Sequence, residues 1–174
     1  MYTETIAAIA TALSDSGISI IRVSGPDAIT AVDQIFMTKG RKHILQKVSS
    51  HTIHYGFVYE QDKPVDEVMV SVMRAPRSYT AEDVVEIHCH GGILITNRIL
   101  ELVIETGVRL ALPGEFTKRA FLNGRIDLSR AEAVMDLIQS TNEFAMRSSF
   151  SQLRGSVFSV IKELREKILY EIAF

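Results

Sequence analysis

At 174 residues, 47% hydrophobic and 23% charged, the chain has the make-up of one good-sized globular domain, or of a domain with an appendage. Its formal charge of -2, with no strongly basic half, excludes the electrostatic footprint of a domain that holds nucleic acid by itself. The single cysteine excludes an internal disulfide, no apolar run approaches membrane-spanning length, and no signal-peptide pattern follows Met1, so a reducing cytoplasm is the expected compartment.

Two short apolar, β-rich runs, 6–13 and 18–23, flank Ser14-Asp15-Ser16-Gly17 and predict two strands joined by a turn. Ser24-Gly25-Pro26-Asp27 then opens a helix, with proline tolerated in its first turn. Ala28, Ile29, Val32, Ile35 and Phe36 follow at helical spacing, which predicts helix over 27–36. The polar, basic run 39–47 reads as a surface connection. Residues 51–59 and 65–73 predict two further strands, linked like a hairpin through Gln61-Asp62-Lys63-Pro64. A loop over 75–80 leads into the strand 83–92. An amphipathic helix over 93–105 stops at Gly107, and 108–112 suits a short strand before Pro113.

The pattern changes at Pro113-Gly114-Glu115 and is helical almost to the end. Ala131, Val134, Met135 and Ile138 mark one helix, and Ser140 with Glu143 has capping-box spacing for the next. Leu153, Val157, Val160, Ile161, Leu164, Ile168 and Ile172 form a long apolar stripe. The chain ends inside that stripe without a cap. An amphipathic helix needs a partner for its apolar face, so a fragment of a larger protein, or one relying on another subunit, is expected.

The strand 83–92 carries the most chemistry. Side chains alternate along a strand, so Glu86, His88 and His90 share one face while Val85, Ile87 and Cys89 share the other. A carboxylate and two imidazoles in line are costly to bury unpaired, so a site and a solvated edge face are the competing explanations. Gly91-Gly92 let backbone or a ligand come close. A metal-dependent hydrolase built on Glu86, His88 and His90 is one alternative, although Cys89 points to the wrong face and no further convergent ligand is evident. A pure interaction module using the apolar helices is another. Arg22 lies inside an otherwise apolar strand; arginine is almost never fully buried unpaired, so it either makes an ion pair with Glu86 or Asp83 or faces a ligand. Arg125 emerges just past the Asn123-Gly124 turn, as an exposed basic residue or a ligand-binding cation. The chain has neither G-x-x-x-x-G-K-[ST] nor G-x-G-x-x-G, so it encodes no nucleotide cradle.

Four blocks, in order, resemble one family. They are Thr5-Ile6-Ala7-Ala8-Ile9-Ala10-Thr11, Gly17-Ile18-Ser19-Ile20-Ile21-Arg22-Val23-Ser24-Gly25, the stretch from Tyr79-Thr80-Ala81-Glu82-Asp83-Val84-Val85-Glu86 through His90-Gly91-Gly92, and 113–133. The family is the tRNA modification GTPase MnmE, also called TrmE. The resemblance covers essentially the whole chain, and the last two blocks are its most specific part. One departure is the turn Ala12-Leu13-Ser14-Asp15-Ser16-Gly17, which is usually rich in proline and glycine in the family; contacts made by that turn do not carry over.

The resemblance implies an α+β fold: a mixed β-sheet with packed helices, similar to the tetrahydrofolate-binding domains of one-carbon enzymes, followed by the first helices of an all-α domain. It implies a folate-binding and dimerisation domain over 1–118 and a truncated helical domain over 119–174, with the GTPase domain and the family's C-terminal cysteine motif absent. The ligand implied is a 5-formyl-tetrahydrofolate, and the family's folate-binding positions fall on Arg22, Glu86 and Arg125. In the complete family protein, GTP is hydrolysed with Mg2+ and K+. That protein works as a homodimer with the FAD-dependent partner MnmG (GidA) to place an aminomethyl-type group on the wobble uridine, U34, of certain tRNAs.

Overall fold

A computed structural model describes residues 4–154 and 156–173. The chain divides into two compact units, Met1–Phe116 and Thr117–Phe174. The first is built on a mixed seven-stranded sheet in the order β3-β4-β5-β6-β2-β1-β7. Its strands are β1 (Ile6–Ile9), β2 (Ser16–Ser24), β3 (Phe36–Met37), β4 (Thr52–Glu60), β5 (Lys63–Met73), β6 (Val84–Gly91) and β7 (Arg109–Leu110). Among the described residues only β7 runs parallel to its neighbour, β1; the other pairs are antiparallel. Helices α1 (Ala28–Ile35) and α2 (Ile93–Glu105) complete the unit, so the architecture is α+β as expected.

Strand alternation gives the sheet two unlike faces. Ile21 and Val23 of β2, Val68, Val70 and Val72 of β5, and Val85, Ile87 and Cys89 of β6 share one core with Ile29 and Val32 of α1 and Ile99, Leu102 and Val103 of α2. Each such aliphatic side chain contributes roughly 1.5–3 kcal/mol on burial, so the helix-covered face carries most of the unit's stability. On the opposite face β2 and β6 present Arg22 against Glu86 and Ile20 against His88. There β5 continues the rows with Ser71 beside Glu86 and Met69 beside His88.

The elements depart from the predicted boundaries at informative places. The first predicted strand ends early, at Ile9, and β2 begins at Ser16. Phe36 leaves the predicted helix: its φ and ψ are extended, and it pairs with Val58 as the edge strand β3. Periodicity cannot separate a buried residue closing a helix from one opening a strand, because both point into the same core. The β4–β5 turn tightens to Gln61-Asp62, with Gln61 at φ 54, and Pro64 falls inside β5 where the register shifts. The basic connection 39–47 is not wholly a surface segment, since it contains a 3-10 turn, Leu45–Lys47, whose Leu45 is fully buried.

Helix α3 (Glu115–Leu122) starts in the last two residues of the first unit and continues in the second, where α4 (Leu128–Gln139), α5 (Glu143–Leu153) and α6 (Ser156–Ala173) follow in sequence. Asp127 caps α4 by accepting from the Arg130 N–H at 2.9 Å. The cap of α5 is Asn142 rather than the predicted Ser140; its Oδ1 accepts from the Ala145 N–H at 2.8 Å. Ser140 instead closes α4, its hydroxyl donating to the Leu137 carbonyl. Asn142 immediately precedes the first helical residue, where a short acceptor reaches the third helical N–H. Leu153 belongs to α5, so the apolar stripe is divided between two helices. Ile161, Leu164, Ile168 and Ile172 of α6 are exposed, whereas the Val157 and Val160 side chains lie outside the described residues. Among the described residues no helix is long and apolar enough to cross a membrane.

Asp33, buried on α1, is the anchor for the 3-10 turn. Its Oδ1 accepts from the Ile44 and Leu45 N–H groups at 3.0 and 2.9 Å. Truncation would leave two backbone donors without this acceptor, so Asp33→Ala should lower stability by about 2–4 kcal/mol. Asp33→Asn, which keeps an oxygen in place, should recover at least roughly half of that loss. Urea denaturation midpoints of the three proteins provide the measurement.

Candidate functional site

The centre of the site is an ion pair set by sheet register. Arg22 and Glu86 are direct partners on antiparallel β2 and β6, and Arg22 Nε donates to Glu86 Oε1 at 2.8 Å. Their side chains are 26% and 17% exposed, so the pair is neither solvated nor sealed. Among the described residues the terminal amino groups of Arg22 have no hydrogen-bond partner. Glu86 Oε2 lies 3.8 Å from His88 Nε2, beyond hydrogen-bond reach. The pair thus keeps a donor fork and an acceptor oxygen available side by side.

Two aromatic rings flank the guanidinium. Arg22 Cζ is 4.9 Å from the Tyr79 ring centroid and 5.6 Å from that of Phe116, both within cation–π range. Tyr79 comes from the β5–β6 loop, whose ends are tied by the Ala75 N–H donating to Asp83 Oδ1 at 2.8 Å. Phe116 is delivered by its neighbour Glu115, a buried carboxylate bound by both Arg109 amino groups at 3.1 and 2.6 Å. Glu115 also accepts from the Leu112 N–H at 2.8 Å, which closes the turn ahead of α3. The glutamate of the Pro113-Gly114-Glu115 motif is therefore structural, and it fixes the approach of Phe116. Neither Tyr79 nor Phe116 was a candidate from sequence. The available signal was their position beside the two most distinctive motif blocks.

The other residues of the β6 motif do not converge. His88 shares the face of Glu86 as alternation requires, and its Nε2 lies 3.4 Å from Ser71 Oγ. His90 turns to Asp66, its Nδ1 2.6 Å from Asp66 Oδ1, while its backbone N–H donates to Asp66 Oδ2. Cys89 is buried on the helix face, donates to the Ser19 carbonyl, and has its thiol pushed up by burial. Among the described residues no group of three or more His, Cys, Asp or Glu side chains could hold a metal ion. The hydrolase alternative therefore loses its ligand set.

Gly91 does not open space for a ligand. A Cβ there would collide with the Ser16 carbonyl oxygen, so glycine is required by the close approach of β2. Gly92 is the residue from which α2 starts. Beside His88 the open sheet face holds a shallow depression lined by Ile18, Tyr55, Glu67, Met69 and His90, with Ile18, Tyr55 and Met69 exposed. Arg125, the third candidate, belongs to the second unit, where it is exposed and follows Gly124 at φ 73. Its N–H donates to the Ala120 carbonyl at 2.9 Å, so the backbone around it is fixed by the end of α3.

The family model described as "GTP-binding protein TrmE N-terminus" matches residues 5–125, which include all three candidates. The chain is 57% identical over 174 residues to a protein of Acholeplasma laidlawii named tRNA modification GTPase MnmE, with 99% of this chain and 38% of that protein covered. Proteins of the same name from Lachnoclostridium phytofermentans and Bacillus mycoides are each 55% identical, with 100% and 99% of this chain covered. The chain spans about 38% of the length of these relatives.

The His90–Asp66 pair has a pH signature. The hydrogen bond that the His90 ring donates to Asp66, and then the charge of Asp66, raise the His90 pKa above the ordinary imidazole value. A folded-state pKa above the unfolded one means that the pair's stabilisation is fully present below the unfolded pKa of about 6.5 and is lost as pH rises through the higher folded value. NMR titration of the His90 ring should place its midpoint above that of a peptide histidine, and Asp66→Asn should return it toward that value.

Proposed function

The chain belongs to the family of the GTP-binding protein TrmE N-terminus, and from that premise we propose that its Arg22–Glu86 site binds a 5-formyl-tetrahydrofolate-type one-carbon donor. The observation that carries this reading is the partly exposed ion pair with two flanking rings, whose remaining Arg22 donors and second Glu86 oxygen have no hydrogen-bond partner among the described residues. A pterin is flat and offers an amino-pyrimidinone edge with two donors and a carbonyl acceptor. A carboxylate accepts from the former and a guanidinium donates to the latter, both in charge-assisted hydrogen bonds. Arg125 is the third folate contact in this reading, suited by its charge to the ligand's anionic end.

The wider function follows the relatives' name. In the full-length protein, of which this chain matches about 38%, a GTPase domain would hydrolyse GTP with Mg2+ and K+. Working with the FAD-dependent MnmG (GidA) protein, it would convert the wobble uridine of certain tRNAs to an aminomethyl-type derivative in the cytoplasm. Folate would be the one-carbon source. Residues 1–118 would serve as the folate-binding and dimerisation domain, and 119–174 as the start of the helical domain. Dimerisation is supported by the apolar side chains left on the open sheet face, where Ile18, Ile53, Tyr55 and Met69 are all exposed.

Calorimetry with 5-formyl-tetrahydrofolate tests the site. Binding should be saturable and weakened at least tenfold by Glu86→Ala, a loss of about 1.4 kcal/mol or more. A dimeric, folded chain that binds no folate would defeat the assignment. The same preparation should show no specific GTP turnover, since it contains no phosphate-binding loop.

A further inference from the structure

The loop that carries Tyr79 is held by an arrangement that the ligand contacts do not explain. Ser24, at the end of β2, is fully buried, and so is Thr80 on the β5–β6 loop. The Ser24 hydroxyl donates to Glu82 Oε2 at 2.8 Å and lies 2.7 Å from Thr80 Oγ1. A serine hydroxyl has one hydrogen, and an ionised carboxylate only accepts. With that hydrogen given to Glu82, the contact between the two hydroxyls is closed by the hydrogen of Thr80. Thr80 Oγ1 in turn accepts from the Glu82 N–H at 3.3 Å. The hydrogen bonds form a closed circuit: Glu82 N–H to Thr80, Thr80 to Ser24, Ser24 back to the Glu82 carboxylate.

The circuit spans Ala81, which stands at φ 62, in the left-handed region that a residue with a Cβ adopts at a cost. Such conformations persist where their surroundings over-determine them. Ser78 Oγ adds a bond to the Glu82 carbonyl at 2.5 Å, so both sides of Tyr79 are pinned, and the Gly25 N–H donates to the Asp83 carbonyl just beyond. The pinned residue is the one whose ring faces the Arg22 guanidinium at 4.9 Å. An ordinary surface turn needs no anchor of two buried hydroxyls on a carboxylate; a side chain that must stand at a fixed height above a binding surface does.

We propose that the Ser24–Thr80–Glu82 circuit is a positioning device that holds Tyr79 as a wall of the Arg22–Glu86 site, making Tyr79 a specificity-determining contact for a planar ring. Its ligand half rests on the folate reading; its positioning half does not.

The two halves are separable experimentally. The chain contains no tryptophan, so Tyr79→Trp installs a single indole reporter. In that background, without ligand, Thr80→Val removes the hydroxyl at nearly constant shape and should raise acrylamide quenching of the indole at least about twofold, with lower emission anisotropy, as expected for the loss of a buried hydrogen bond. Thr80→Ser, which retains the hydroxyl, should restore both values. Ser24→Ala should match Thr80→Val and serves if the latter fails to fold, as judged by far-ultraviolet circular dichroism. Quenching and anisotropy unchanged in the folded hydroxyl-less variants would overturn the positioning role.

In the protein with native Tyr79, Thr80→Val should weaken 5-formyl-tetrahydrofolate binding at least about fivefold, and Tyr79→Ala more than Tyr79→Phe. A loosened indole with undiminished folate affinity would overturn the specificity role. An unaltered chain that binds no folate would defeat the folate reading, leaving the quenching result to decide the positioning half alone.

Discussion

The site depends on the placement of a charge in a sheet whose helices α1 and α2 pack against one face. Arg22 sits on a strand whose neighbours Ile21 and Val23 are fully buried, so the arginine can only project to the opposite face. There it is partly desolvated by the strands on either side, and a guanidinium in that position requires an opposing charge. Antiparallel register supplies Glu86 directly across, at 2.8 Å. Had β2 slipped by one residue against β6, Arg22 would have entered the aliphatic core against α1 and α2 and left Glu86 without its partner, because the side-chain period is two. The ion pair and the hydrophobic core therefore specify the same register from opposite faces.

That coupling explains how much was legible in the sequence. The alternation of Val85, Ile87 and Cys89 with Glu86, His88 and His90 was readable because one face is wholly apolar and the other is not. The lone arginine in 18–23 signalled a partner for the same reason, with Glu86 one of two candidates. What escaped was set by tertiary contact. Phe36 looked like the last turn of a helix and became an edge strand, because the same core accepts it either way. Gly91 looked like an opening for a ligand, yet its missing side chain is taken up by the Ser16 backbone. Ser140 and Glu143 have capping spacing, but Asn142 stood nearer the helix start.

Tyr79 and Phe116 were illegible for a further reason. They lie 37 residues apart, one on a loop and one in the first turn of α3, and only the fold brings both rings to Arg22. Each is placed by a polar anchor nearby that includes a buried residue: Thr80 with Glu82 for Tyr79, Glu115 with Arg109 for Phe116. Motif residues such as Glu82 and Glu115 thus act as scaffolding. Their hydrogen bonds are spent on the chain, and the residues beside them face the guanidinium.

The arrangement also bears on how a ligand would be held. Removing one partner of a partly buried ion pair leaves an uncompensated charge, so a site that broke the Arg22–Glu86 contact to bind would begin at a loss. Among the described residues only Nε and Oε1 of the pair are committed to a hydrogen bond, which leaves the remaining donors and the second oxygen to a ligand. A flat ligand offering both donors and an acceptor along one edge can be added to the pair without separating it. Rings already standing beside the guanidinium reduce the ordering that binding would otherwise require. A metal ion has the opposite demand: it needs several carboxylates or imidazoles turned inward together, while here Glu86 is committed to Arg22 and His90 to Asp66. The commitments of these side chains, more than their identities, favour a planar organic ligand.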